Sequence, residues 1–291
     1  MTASRGSLRR RFGWVAALGI VVLAASPIAL GMHLIAPSVD GPLPDSAGEL
    51  EDAWDAVLAG AVHDGVVDYR VIAERRATLH GIAAALGSVG PQSTPAAFPD
   101  RESALAYYVN AYNALVVLAV IDRDVRGGVH EVHGLIEPAS GMGFFWALRF
   151  RLDGEIVSLH GLETDVLRAR FHDARVHAAI VCASRSCPML AERAYRGATL
   201  DAQLDEAARR FASSPEHVRV DDASRTIELS SIFSWYEDDF TAEVEPSTGS
   251  GVLAWIEAHR DPERRVELER AEAAGYRVAY AVYDWRLNGH W

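Results

Sequence analysis

The 291-residue chain has the composition of a folded domain, with 49% hydrophobic and 23% charged residues. Its formal net charge of −12 makes nucleic acid an unfavourable partner, because an acidic surface repels phosphate groups. The sequence contains no lysine, which excludes Schiff-base catalysis by lysine and the lysine of a phosphate-binding P-loop.

An almost uncharged segment, residues 13–36, is long enough to span a bilayer, which takes about 20 residues. Four arginines precede it and several acidic residues follow it, so the positive-inside rule places the rest of the chain outside the cytoplasm. We assign residues 1–36 to a signal peptide or a membrane anchor, and residues 37–45 to a linker. Residues 29–31 have the small-residue pattern of a cleavage site, and both alternatives remain open. The membrane, through residues 13–36, is therefore a predicted partner.

The first half of the body is predicted to be mainly helical. Ser46 and Glu49 have the spacing of a capping box at the start of a helix. The segment 103–121 is apolar on all sides, which is typical of a helix buried at the centre of a domain. In chain order we predict a helix from Ser46, a strand 66–69, a helix 71–86, a loop 88–99 and the buried helix 103–121.

The second half mixes helices and strands without a regular βαβ alternation. The Asp153-Gly154 pair is a strong signal for a hairpin turn. In chain order we predict a hairpin of 144–152 and 155–157, a helix 158–170, a strand 175–182, a helix 188–194, a helix 199–212, a hairpin of 218–220 and 226–229, a helix 251–259 and a strand 277–285. This pattern predicts an α+β fold, in which residues 46–291 form one domain with helices packed on a largely antiparallel sheet.

Two asparagines, Asn110 and Asn113, lie three residues apart and therefore on one face of the buried helix. A buried amide without partners costs about 1–3 kcal/mol, so both side chains must meet polar groups in the interior. They either form structural hydrogen bonds or take part in catalysis, with Asn110 orienting a histidine and Asn113 holding a substrate carbonyl. Tyr112, between them, is a candidate substrate-binding residue.

The candidate nucleophile is Cys187. Pro188 suits the first position of a helix, which would make Cys187 the helix N-cap. A helix N-terminus and a nearby cation such as Arg185 both lower the pKa of a thiol. His177, on the strand that leads into this turn, is placed to act as the base. Arg185 is also a candidate substrate-binding residue.

The two cysteines of the chain, Cys182 and Cys187, allow three states: a disulfide, a reactive Cys187, or two unreactive thiols. A disulfide is favoured by an oxidising compartment and would remove the nucleophile. The spacing from His177 through both cysteines lacks a fourth ligand, so no metal site is predicted. Asp284 lies in an inward-facing strand register and needs a polar partner, and an imidazole or an arginine would serve.

Several motifs resemble the domain-of-unknown-function family 547 over about residues 51–288. The matching stretches are 65–69 (GVVDY), 106–114 (AYYVNAYNA), 143–145 (GFF), 158–163 (SLHGLE), 176–188 (VHAAIVCASRSCP), 234–240 (SWYEDDF) and 283–288 (YDWRLN). The activity of this family is unassigned. The resemblance implies a single domain, and it implies that the family pattern includes Asn110, Asn113, His177, Cys187 and Asp284. One departure is His160, which stands where the pattern has an acidic residue.

We hypothesise two functions, neither of which needs a cofactor. The first is a thiol-dependent hydrolase or acyl transferase acting on an amide or ester, with Cys187 as nucleophile and His177 as base. Asp284 or Asn110 would orient the imidazole. The order of these groups is similar to a rearranged papain-like or transglutaminase-like enzyme, which is an analogy of layout alone. The second is a non-catalytic binding or assembly module at the membrane surface, with a Cys182–Cys187 disulfide.

Overall fold

The computed structural model describes residues 33–37, 39, 41–133, 141–244 and 251–291, and over these residues the chain has an α+β fold. Twelve α-helices and nine short strands follow one another irregularly within the described ranges. The predicted α+β class is therefore confirmed. The predicted N-terminal apolar helix falls almost entirely on residues outside the described ranges and stays a prediction.

Helices form most of the body. In chain order they are α1 (Ala47–Leu58), α2 (Tyr69–Glu74), α3 (Arg76–Leu86), α4 (Arg101–Asp122), α5 (Leu159–Gly161), α6 (Ala169–Phe171), α7 (Val176–Ala179), α8 (Leu200–Ser213), α9 (Ser231–Trp235), α10 (Glu237–Ala242), α11 (Val252–His259) and α12 (Pro262–Ala273). Two π-helical segments, Gly143–Ala147 and Leu162–Arg168, occur beside them. Ser46 caps α1 by accepting a hydrogen bond from the Glu49 amide, as predicted.

The strands form three small sheets instead of one. They are β1 (His33–Ile35), β2 (Val62–His63), β3 (Val66–Asp68), β4 (Leu148–Leu152), β5 (Glu155–Val157), β6 (Val218–Asp221), β7 (Thr226–Leu229), β8 (Arg277–Tyr280) and β9 (Gly289–His290). The strand orders are β1-β4-β5, β2-β3-β9 and β6-β7-β8. Each sheet contains one antiparallel and one parallel pair. The prediction of a single, largely antiparallel sheet is therefore wrong, although both predicted hairpins are present.

The core is organised around α4. An Asp100–Ser103 capping box begins this helix, and its middle is buried on every side. Among the described residues, α4 is the one helix long and apolar enough to cross a membrane, but 94% of its most apolar window is buried inside the protein. Its apolar surface therefore packs against the other elements of this domain.

The N-terminal strand β1 joins the body earlier than the predicted boundary at residue 46. His33, Leu34 and Ile35 pair in parallel with residues 148–150 of β4, and Ile35 is buried. The described end of the predicted apolar segment is thus part of a sheet. Any segment that precedes residue 33 is attached directly to β4 through this strand.

Two predicted elements near the candidate nucleophile are wrong. Residues 175–182 do not form a strand, because 176–179 make the short helix α7 and residues 180–182 are extended without a strand partner. Residues 188–194 are irregular instead of helical, so Cys187 is not a helix N-cap. The premise that a helix N-terminus lowers the Cys187 pKa is therefore removed.

Candidate functional site

A cavity of about 520 Å³ lies between α4, the two π-helical segments, the chain around the cysteines, α9 and the C-terminal segment. Its walls are mostly aromatic and aliphatic, with few polar groups. The lining residues are Tyr112, Met142, Phe145, Trp146, His160, Glu163, His177, Ile180, Val181, Cys182, Cys187, Pro188, Ile232, Trp235, Tyr236, Tyr283 and Trp285. A concave, apolar site with a few polar groups is the usual form of a small-molecule site.

The two π-helical segments both contribute to this cavity. The first carries Phe145 and Trp146, and the second carries Glu163. The indole of Trp146, in the first segment, stacks on the imidazole of His160 in α5 with ring centroids 4.2 Å apart, and α5 leads directly into the second segment. π-helical turns are rare and occur frequently at functional sites.

Three aromatic rings from distant parts of the chain form one wall. Trp235, at the end of α9, lies 4.7 Å from the Tyr283 ring and 5.8 Å from the Trp285 ring. The Tyr283 and Trp285 rings are 4.5 Å apart. The Trp235 side chain is nevertheless 48% exposed. This cluster therefore presents large aromatic surface to solvent at the cavity.

The most polar group of the cavity is Glu163, whose residue is only 9% exposed. The Tyr112 hydroxyl donates a hydrogen bond to its Oε2 atom over 3.3 Å. Burial, with the Glu163 carboxylate as the next cause, raises the pKa of Tyr236 and of Tyr283 well above the ordinary value. No arginine or histidine in the described part of the chain lies within 4.0 Å of this carboxylate. Among the described residues, the polar partners of the buried Glu163 carboxyl are thus tyrosine hydroxyls and not cations.

His177 also lines the cavity, and its partner is Asp239. The Nε2 atom of His177 lies 2.7 Å from Oδ2 of Asp239, and the His177 ring stacks on Tyr236 at 4.0 Å. Arg168 donates to both oxygens of the same carboxylate. The His177 hydrogen bond is the largest cause that holds the pKa of Asp239 well below its ordinary value, and Arg168 adds to it.

Asp284, which was predicted to orient His177, does not contact it. Asp284 accepts from its near neighbour Arg286 at 2.9 Å, and this contact lowers the Asp284 pKa to about 2. The Asp284 amide donates to Ser186. The prediction that Asp284 orients His177 is wrong, because that position is taken by Asp239. Arg185, a predicted substrate-binding residue, is exposed and does not line the cavity.

The two asparagines of α4 form backbone clamps. Asn110 donates to the Tyr195 carbonyl at 2.7 Å and accepts from the Tyr195 amide at 2.9 Å. Asn113 donates to the Ala179 carbonyl and accepts from the Val181 amide, both at 2.9 Å. Each side-chain amide thus donates one hydrogen bond to a backbone carbonyl and accepts one from a backbone amide. Of the two readings left open by the sequence, these contacts support the structural one for both residues.

Cys182 and Cys187 form a disulfide in the cavity wall. The Tyr283 hydroxyl lies 3.0 Å from the Cys182 sulfur. In this state Cys187 has no thiol, so it cannot act as a nucleophile. Within the described ranges, no group of three His, Cys, Asp or Glu side chains lies close enough together to hold a metal ion.

Cys187, His177 and Tyr112 are the predicted site residues that the structure brings to one cavity. The sequence reasoning missed Glu163 and Asp239 as members of the site. Both lie inside motifs that carried the family resemblance, namely 158–163 and 234–240. Those motifs were the available signal. Arg168, five residues after Glu163, binds Asp239.

A second depression, of about 710 Å³, is lined mainly by charged residues. Two of its charged residues have clear partners within the protein. Arg175 is surrounded by the carboxylates of Asp173, Asp201 and Asp205, and Glu243 accepts a hydrogen bond from the Trp255 indole at 3.0 Å. The smaller aromatic cavity, with its unpaired carboxylate, is therefore the better candidate site.

The chain is thus an α+β protein with a cavity lined by aromatic residues and by the Cys182–Cys187 disulfide. Residues 96–212 match the family described as "Protein of unknown function, DUF547". This stretch contains α4, both π-helical segments, His177 and the disulfide. The predicted resemblance to this family is confirmed there. No curated protein and no solved structure matches the chain, so the analogy with papain-like and transglutaminase-like enzymes stays a prediction.

Proposed function

We propose that this chain is a small-molecule-binding protein whose ligand occupies the aromatic cavity. The observation that carries this proposal is the cavity of about 520 Å³ itself, with its apolar walls and one buried carboxylate. Cavities of roughly 300–1,000 Å³ with this mixture of many apolar and few polar groups are typical ligand sites. This proposal develops the binding module of the second hypothesis and adds the aromatic cavity as its ligand site.

The state of the cysteines favours binding over catalysis. A thiol-dependent mechanism needs a Cys187 thiolate, and the Cys182–Cys187 disulfide consumes it. The Asn110 and Asn113 side chains bind backbone groups of Tyr195, Ala179 and Val181, and neither residue lines the cavity. The cavity, in contrast, needs no chemical change to accept a ligand.

The proposal includes export and attachment to a membrane through residues 13–36. Support comes from the sequence of that segment, and because residues 33–35 form β1 in the body, the part proposed to lie in the bilayer ends before His33. His33 pairs with Leu148, two residues after the cavity residue Trp146. An anchor that ends just before His33 would therefore hold the cavity close to the membrane surface.

The test is a titration of the full-length protein with N-phenyl-1-naphthylamine, a neutral apolar dye that fluoresces in dry cavities. Trp235→Ala removes exposed cavity wall at little cost to folding, and we expect it to weaken the cavity-bound signal about tenfold, or about 1.4 kcal/mol. Tyr280→Ala is the matched control, because Tyr280 is 43% exposed and lies outside the cavity. Equal titrations for both variants would contradict the proposal, since other apolar surface would then bind the dye.

A second candidate is a thiol hydrolase or acyl transferase that acts after the disulfide is reduced. It is supported by the presence of His177 and Cys187 in one cavity, with Asp239 in the orienting position. Cys182→Ser would leave a permanent Cys187 thiol. This candidate predicts fast alkylation of Cys187 by iodoacetamide in that variant, and a slower rate when His177→Gln is added. An unchanged rate would rule out His177 as the base.

A further inference from the structure

We infer, building on the proposed binding function, that the ligand of the aromatic cavity is an organic cation, such as a quaternary or protonated amine, whose charge is neutralised by Glu163. The relevant geometry is a buried carboxylate enclosed by electron-rich rings.

The first observation is that the Glu163 carboxylate is buried with few polar partners. Removing a carboxylate from water is unfavourable unless it is paired or fully hydrogen-bonded. An ionised carboxylate accepts at about four positions, and here its hydrogen-bond partners are the hydroxyls of Tyr112 and Tyr236. The arginine closest in sequence, Arg168, is committed to Asp239. Arg168 and Asp239 form an ion pair with each other, so Glu163 is a buried carboxyl of the cavity wall without a cationic partner among the described residues.

The second observation is that aromatic rings line the cavity around Glu163. The faces of tryptophan and tyrosine attract a cation within about 6 Å of the ring centroid, most strongly where water is excluded. Trp146, Trp235, Tyr283 and Trp285 line the same cavity as Glu163. No arginine occurs among the described lining residues, so none competes for these rings. The aromatic rings and the carboxylate together favour an organic cation such as a quaternary ammonium group.

The chemistry of the lining also separates an organic cation from a metal ion. Ca²⁺ takes six to eight oxygen ligands and Mg²⁺ requires six in octahedral order. The described cavity residues offer one carboxylate, and otherwise rings, aliphatic groups, hydroxyls and sulfur. A cavity of about 520 Å³ suits a molecule of many heavy atoms better than a bare ion.

The test compares choline with 3,3-dimethyl-1-butanol, which has the same shape without the positive charge. Each is titrated into the full-length protein carrying bound N-phenyl-1-naphthylamine. We expect choline to displace the dye at concentrations at least about tenfold lower than the neutral alcohol. In Glu163→Gln, the advantage of choline should fall by about tenfold or more, while the dye still binds.

Asp165→Asn is the matched control, because Asp165 lies on the same π-helical segment but is exposed and outside the cavity. It should keep the full preference for choline. Trp235→Leu retains apolar surface but removes the ring, and it should reduce choline binding more than dye binding.

The outcomes separate this inference from the proposed function. If the dye binds at the cavity but choline and its neutral isostere compete equally, the cation assignment is overturned and small-molecule binding stands. If neither the dye nor choline responds to cavity variants, both are overturned. A choline preference that Glu163→Gln leaves intact would place the cation elsewhere and would also overturn the assignment.

Discussion

The His177 imidazole and the Asp239 carboxylate are 62 residues apart in the chain and lie 2.7 Å apart in space. Asp239 also receives two hydrogen bonds from Arg168, so one carboxylate holds an imidazole and a guanidinium in place. This carboxylate, and not Asp284, fixes the His177 wall of the cavity.

Asp239→Asn should therefore destabilise the protein by about 2 kcal/mol, because hydrogen bonds to a charged group are weakened on two partners at once. Asp284→Asn is the control. Its pair with Arg286 is exposed, so the change should cost less than about 1 kcal/mol. Urea unfolding of both variants gives the comparison. Equal losses would show that Asp239 is no more important to the fold than a surface ion pair.

The disulfide gives a prediction about thiol number. Alkylation of the denatured protein without reductant should label no cysteine, and reduction should expose two thiols. A bridge that closes so short a loop stabilises by about 2 kcal/mol in the chain-entropy description. The double variant Cys182→Ala with Cys187→Ala should lose about that much. Two labelled cysteines without reductant would favour the thiol-dependent candidate over the binding proposal.

We expect Asn113→Ala to lower the free energy of unfolding more than Asn110→Ala does. Asn113→Ala leaves the Ala179 carbonyl and the Val181 amide without partners in the interior, which should cost about 3 kcal/mol. Asn110 is only half-buried and its Tyr195 contacts are nearer to solvent, so Asn110→Ala should cost less. Thermal or urea unfolding measures both. A larger loss at Asn110 would contradict the assignment of the Asn113 clamp to the core.

The buried His217 side chain should make the stability of the protein depend on pH. Burial lowers the pKa of His217 to about 4, below the value of about 6.5 for an exposed histidine. Between these values the unfolded chain takes up a proton that the folded chain does not, so stability falls as the pH falls from about 6.5 to 4. The loss is about 3 kcal/mol.

His217→Phe should remove most of this slope, because phenylalanine does not titrate and its ring can stay near Phe211, whose ring centroid is 4.6 Å from that of His217. Urea unfolding at pH 7 and at pH 4 measures the slope. His63→Phe, at an exposed position, is the control and should keep the slope of the native protein. A native slope in His217→Phe would mean that other groups cause the acid sensitivity.

Elements with a strong local signal were predictable from the sequence. The uninterrupted apolar character of 103–121 predicted the central helix α4, and Asp153-Gly154 predicted the β4–β5 hairpin. The segment 175–182 was not predictable in this way. Asn113 supplies hydrogen bonds to Ala179 and Val181, so the extended residues there need no neighbouring strand. Their apolar composition reflects burial beside α4 and not a place in a sheet.

The site was predictable only in part, for a similar reason. Cys187, His177 and Tyr112 stand in conspicuous motifs, and all three reach the cavity. The sequence around Glu163 did not predict its burial. Glu163 lies in a π-helical segment, and sequence periodicity does not distinguish such a segment from an α-helix. The aromatic wall joins Trp235 to rings about 50 residues further along the chain. Neither periodicity nor spacing encodes such a contact.

The most direct test of the central claim locates a bound molecule by fluorine NMR of 5-fluorotryptophan-labelled full-length protein. The chain has seven tryptophans, each assigned by its own Trp→Phe variant. On addition of N-phenyl-1-naphthylamine, the account predicts shifts for the cavity residues Trp146, Trp235 and Trp285. The resonances of Trp54, Trp255 and Trp291, which lie outside this cavity, should stay in place. Shifts confined to this second group, or no shift at all under saturating dye, would contradict the assignment of the aromatic cavity as the binding site.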